Sequence, residues 1–125
     1  MRAVGQCHWA IAEGYIPSWS RGPEPELTSH ETICVLNAGS RPAKVRVVVF
    51  FTDRDPAGPY EFTVPPARTR HVRFNDWSDP EPIPHGVPFA STIDSDEPIV
   101  VQHTRLDSRQ NANALISTIA YPAGA

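Results

Sequence analysis

A chain of 125 residues with a net charge of −3 can bury roughly two-thirds of its unfolded surface without disulfide or metal staples, so a single domain spanning 1–125 is expected. The mild acidity argues against a protein whose main work is gripping nucleic acid through bulk charge. No apolar run approaches the roughly 20 residues of a membrane span, and "MRAVGQCHWA" lacks a long apolar stretch, so a cytoplasmic protein that is not itself membrane-inserted is expected.

Fourteen prolines, spread from Pro17 to Pro122, leave few windows for a helix, because an interior proline costs about 3 kcal/mol. The short β-branched and aromatic runs between these breaks predict strands near 7–12, 29–37, 44–53, 59–64, 67–74, 88–93, 98–106 and 114–121. The first contains Cys7 and His8, which point to opposite faces of a strand and so are discounted as nucleophile and base. With no CxxC and no paired Cys/His spacing, Cys7 and Cys34 read as small buried residues.

After the second strand, "LNAGSRPA" supplies a turn. The strand that follows, "AKVRVVVFFTD", carries Val45, Val47, Val49 and Phe51 on one face. Its other face begins charged and becomes apolar at Val48 and Phe50, which calls for cover on both sides, from a second sheet and from a partner subunit. "YEFTVPPARTRHVRF" then reads as strand, corner and strand, with Arg68, Arg70 and Val72 on one face and Thr69, His71 and Arg73 on the other. "DSRQNANAL" has room for only a brief helical turn, capped by Asp107 or Ser108. The closing "PAGA" is of the kind that frays. The sum is an all-β fold, an antiparallel β-sandwich of jelly-roll-like type.

No catalytic signature is present: no GxSxG, P-loop, GxGxxG, HExxH or SxxK. The five histidines stand singly, and a set such as His30, His85 and His103 would have to converge from separate strands. No metal site, cofactor or catalytic residue is therefore assigned. Asp76, Asp79 and Glu81 match a calcium loop poorly and fit Asx turns as well. Tyr15, Trp19, Tyr60 and Trp77 in or beside the Pro-rich loops are suited to stacking on a polar metabolite, and equally to plugging loops onto the core. In "PIVVQHTRLDSRQ", His103, Arg105, Asp107 and Arg109 alternate. The first pair is expected on one strand face, and the second pair in the following turn, bonded to each other or across an interface.

The strings "CHWAIAEGYIP", "GPEPE", "SHETICVLNAG", "GPYEFTVPPARTRHVRFND", "PIPHGVPFAS" and "PIVVQHTRLDSRQNANALISTIAY" closely resemble the soluble sensory rhodopsin transducer family. The resemblance implies a small cytoplasmic β-sandwich protein that assembles as a homotetramer, with a founding member coupled to a membrane photoreceptor. It further implies small ligands, sugars or related metabolites, for members without a rhodopsin, and contact with DNA for the founding member. The polar positions matching the family, and so its candidate ligand-binding residues, are Trp9, Glu13, Glu31, Arg73, Asn75, Asp76, His85, His103, Arg105, Asp107 and Arg109.

The reading that follows is a non-enzymatic signalling or ligand-binding module that contacts the cytoplasmic face of a membrane photoreceptor or a sugar-like metabolite. A DNA-associated regulator using Arg68, Arg70, Arg73 and Arg105 on phosphates is less favoured by the net charge. A sugar isomerase or hydrolase using Glu13 or Asp107 with His103 as acid and base is the third alternative.

Overall fold

β-Branched and aromatic residues between turn signals make eight strands, and no α-helix occurs among the described residues. The computed structural model describes residues 3–124. The strands are β1 (Gln6–Tyr15), β2 (His30–Asn37), β3 (Ala43–Phe51), β4 (Ala57–Val64), β5 (Arg68–Arg73), β6 (Pro88–Asp107), β7 (Ala114–Ile119) and β8 (Tyr121–Pro122). A 3-10 turn, Phe74–Asp76, follows β5.

Every pairing is antiparallel. One sheet runs β4-β3-β6-β1-β8, and the other β5-β2-β6-β7, so β6 belongs to both. Its first part pairs with β1 and β3, whereas Val100–Asp107 pairs with β2 and β7. This corrects the expectation of two strands at 88–93 and 98–106, which Pro98 and the polar run before it suggested. Residues 96–98 have no ladder partner in either sheet. The strand changes sheets there, so Pro98 removes an N–H that no neighbour needs. At the same crossing Gly5 holds φ 101°, and a Cβ on it would lie 2.0 Å from the Ile99 carbonyl oxygen, an approach only glycine permits.

The core lies between the sheets. Val45, Val47 and Val49 of β3 meet Ile33 and Val35 of β2, Ile93, Ile99 and Val101 of β6, and Trp9 and Ile11 of β1. Each such side chain contributes about 1.5–3 kcal/mol on leaving water. Val48 on the outer face of β3 is half-buried and Phe50 is exposed. The third Pro-rich loop is held by aromatic packing: Trp77 stacks on Tyr60 at 5.0 Å and lies 4.4 Å from Phe74, which packs on Phe89.

Three further expectations are revised. Residues 108–113 form a turn without a helix, because the Asp107 carboxylate accepts the Arg109 backbone N–H at 3.1 Å, an Asx turn. The chain's end is pinned rather than loose as far as it is described, with Pro122 paired to Trp9 and the Ala123 N–H donating to the His8 carbonyl at 2.8 Å; Ala125 lies outside the described residues. Cys7 and Cys34 are free thiols, but each is half-buried rather than fully buried.

The Ser91 hydroxyl is buried in this core without a hydrogen-bond partner among the described residues. An unpaired buried hydroxyl costs about 1–3 kcal/mol. Ser91→Ala should therefore raise stability by about 1 kcal/mol, read as a higher urea midpoint at unchanged slope; a lowered midpoint would refute this.

Candidate functional site

In an antiparallel pair, residues directly opposite each other share a face. Glu31 stands opposite Arg105, and Ile33 opposite His103, so Glu31, His103 and Arg105 all point between the sheets at one end of the sandwich. Glu31 has no exposure at all. Burying a lone carboxylate is costly enough that partners are obligatory.

They are present on both oxygens. His103 Nε2 lies 2.6 Å from Glu31 Oε1, while Arg105 reaches Oε2 through Nε at 3.0 Å and Nη2 at 2.9 Å. The Tyr15 backbone N–H also donates to Oε2. With an arginine fork and an N–H on one oxygen, the carboxylate acts as acceptor throughout, so His103 Nε2 carries the hydrogen it shares with Oε1. Arg105 Nη1 is left 3.8 Å from Glu13, whose side chain is mostly exposed.

The backbone that places Glu31 is itself fastened. Its N–H donates to Asn75 Oδ1 at 3.3 Å, and Asn75 Nδ2 donates to the Ser29 carbonyl at 3.0 Å. Ser29 Oγ accepts the Ser108 N–H and lies 3.0 Å from Ser108 Oγ, which donates to the Leu27 carbonyl. The long first loop, residues 16–29, is thus stapled to the end of β6.

Beside the cluster the sandwich is open. Between β1, which only the two-residue β8 flanks in one sheet, and β7, at the edge of the other, lies a groove of about 310 Å³. Its polar inner end is His103 and Arg105, and its walls include Ile11, Ile116 and Thr118. The opposite side is closed, with Arg70 donating to the Thr63 carbonyl at 2.9 Å and lying over the Phe62 ring.

A family model described as Anabaena sensory rhodopsin transducer matches residues 4–122. A solved Anabaena sensory rhodopsin transducer is 59% identical, covering 86% of this chain and 94% of its own, with a TM-score of 0.77. The chain belongs to the Anabaena sensory rhodopsin transducer family. The crystal structure of Thermotoga maritima 1070 is 34% identical over 94% of each chain, with a TM-score of 0.83. No curated protein matches.

Of the positions that transducer resemblance singles out, the fold joins Glu31, His103 and Arg105 directly, with Glu13 at the margin and Asn75 behind. Trp9 belongs to the core, its Nε1–H donating to the Gln6 carbonyl at 2.9 Å. Asp107 and Arg109 pair with each other, Nη2 to Oδ2 at 2.7 Å, and Arg109 lies over the Tyr15 ring. That guanidinium holds the Asp107 carboxyl below the usual carboxylate range. Arg73 donates to the Pro25 carbonyl on the outer face, away from the cluster. Asp76 and His85 are exposed and outside it.

The histidines do not converge: His30 faces outward, bonded to the Thr28 carbonyl at 2.7 Å and lowered in pKa by burial. Among the described residues no group of three or more His, Cys, Asp or Glu side chains is arranged to hold a metal. The β5 arginines do not form one groove with the His103 row, because β2 lies between the two strands. Nor do the loop aromatics make one stacking platform, since Tyr60 and Trp77 plug the core and Trp19 stands exposed beside Arg21. Sequence reasoning missed the β7 wall, Ile116 and Thr118; the signal was the β-branched pair two residues apart, on one strand face, in "ALISTI".

Removing one partner of a buried, hydrogen-bonded charge pair costs about 3–5 kcal/mol. Glu31→Gln should thus lose about 3 kcal/mol of unfolding free energy in urea, whereas Glu13→Gln, at an exposed position, leaves the midpoint unchanged. Equal losses at the two positions would contradict the assigned network.

Proposed function

We propose that this chain is a non-enzymatic signalling module of the cytoplasm, which docks on the cytoplasmic face of a membrane photoreceptor and works as a homotetramer. The observation that carries the reading is the family match across residues 4–122 together with 59% identity to the Anabaena sensory rhodopsin transducer. The site chemistry supports it: Asp107 is spent on Arg109 and Glu13 is solvent-exposed, so neither stands as an acid-base partner for His103. A DNA-binding role is less supported, because Arg105 is committed to Glu31.

The tetramer is supported by β7. This edge strand leaves one side unpaired and exposes Leu115 at 69%, Ile116 at 61% and Ile119 at 59%, with Tyr121 beyond it at 70%. An apolar free edge of this kind is a pairing surface unless covered. Docking is further joined to binding of a small polar ligand at the Glu31, His103 and Arg105 cluster, sugars and related metabolites being the first compounds to test by thermal shift. A melting temperature unmoved by every compound would remove the ligand from this reading.

Titration of the chain onto a microbial rhodopsin from the same source, held in nanodiscs, should saturate and change on illumination. Absence of binding in both light and dark would sink the photoreceptor role. Light scattering should give the mass of four chains, and Leu115→Ser with Ile119→Ser should yield a smaller species of unchanged circular dichroism. A monomeric wild type at micromolar concentration overturns the assembly.

A further inference from the structure

Inward-facing positions of a sandwich are ordinarily covered by the opposite sheet. Ile116 and Thr118 break that expectation. They stand opposite Arg105 and His103 and so share their inward face, yet both are exposed. The reason is geometric: β7 passes through Ala120 into β8, but β8 reaches only Trp9 and Ala10, so β1 beyond them has a free edge.

His103 ends in this opening. The residue is only 8% exposed, one ring nitrogen is bonded to Glu31, and the other has no protein partner among the hydrogen bonds of the described residues. In the neutral imidazole, with Nε2 carrying the hydrogen donated to Glu31, Nδ1 is an acceptor. Next to it Arg105 has spent Nε and Nη2 on Glu31, while Nη1 lies 3.8 Å from Glu13, beyond hydrogen-bond reach. One acceptor and one donor therefore stand side by side at the inner end of an aliphatic opening.

The local charge selects further. Glu31 offsets the Arg105 charge, and Glu13 adds a second carboxylate at the rim, so an anionic head would meet more negative than positive charge. A purely apolar cover would leave His103 Nδ1 and Arg105 Nη1 dry and unpaired, which is costly. The walls offer Ile11, Ile116 and Ile119, with Tyr121 the one aromatic side chain among them.

We propose that the mouth between β1 and β7 binds a small neutral molecule with a short aliphatic body and a head that carries a donor and an acceptor on neighbouring atoms. Vicinal diols, hydroxyketones and amides share that head. The donor hydrogen goes to His103 Nδ1, the acceptor oxygen takes an Arg105 Nη1–H, and the body lies on Ile11 and Ile116. The proposal rests on the ligand-binding part of the proposed function and names the class of ligand.

The probe is hexane-1,2-diol, followed through the His103 ring nitrogens and the Ile11, Ile116 and Thr118 methyl groups by NMR. Saturable shifts of His103 Nδ1 and of these methyls are expected, with propane-1,2-diol about tenfold weaker for want of the body and hexanoate weaker still. Ile116→Trp fills the opening from an exposed position, and should abolish the shifts with the circular dichroism of the folded chain unchanged. Hexanoate binding as tightly as the diol overturns the proposal. So does a diol that moves no groove resonance, including the case in which a second copy seals the mouth and the particle mass shows it. If glucose or another sugar shifts the groove while the diol does not, ligand binding stands and this class of ligand falls. If neither the diol nor any sugar does, both fall.

Discussion

One strand carries the architecture. Because β6 pairs with β1 and β3 in its first part and with β2 and β7 in its second, the two layers are not independent sheets pressed together by apolar contact alone. They share a backbone, and the relative placement of their inner faces follows from where β6 crosses. That crossing aligns Ile93 and Ile99 with the core of one layer and Val101 with the other. It also carries His103 and Arg105, two and four residues further on, to the end where the layers diverge.

A polar cluster at that end is a consequence of the same geometry. The apolar face of β2 runs through Ile33 and Val35, but its first inward position is Glu31, fully buried. A carboxylate there is tolerable only with dedicated donors, and β6 supplies two while β1 supplies a backbone N–H. The network therefore ties three strands together where apolar packing is running out. The two flanks of the sandwich differ for the same kind of reason: β4 and β5 are joined by a two-proline corner and stitched by Arg70, while β7 is tied to β1 only at one end, through Ala120 and the two-residue β8. The open flank is thus where the buried network meets solvent and where an exposed apolar strand lies.

Much of the fold was legible in the sequence because its signals are local. Period-two patterning in "AKVRVVVFF", the turn at "NAGSRP" and the corner at "VPPA" each depend on neighbouring residues. The same holds for the Asp107 and Arg109 pair, two residues apart and closed on each other as the turn reading requires. What misled was also local. Pro98 breaks a strand only if its missing N–H was needed, and whether it was needed depends on neighbours far away in sequence. The loop aromatics were equally ambiguous, since Trp77 is the same residue whether it waits for a ligand or packs on Tyr60.

The sequence by itself determined the all-β class and the positions of most strands, because these are properties of spacing and composition, while the family and the candidate polar residues came from the resemblance of its long strings. Only the tertiary structure decided which of those residues meet. Glu31 and His103 are 72 residues apart, and their contact exists because β2 and β6 run antiparallel in one register; a shift of one residue would turn Glu31 to the outer face. Register, sheet crossing and an uncovered flank are relations between distant segments, and no single segment encodes them.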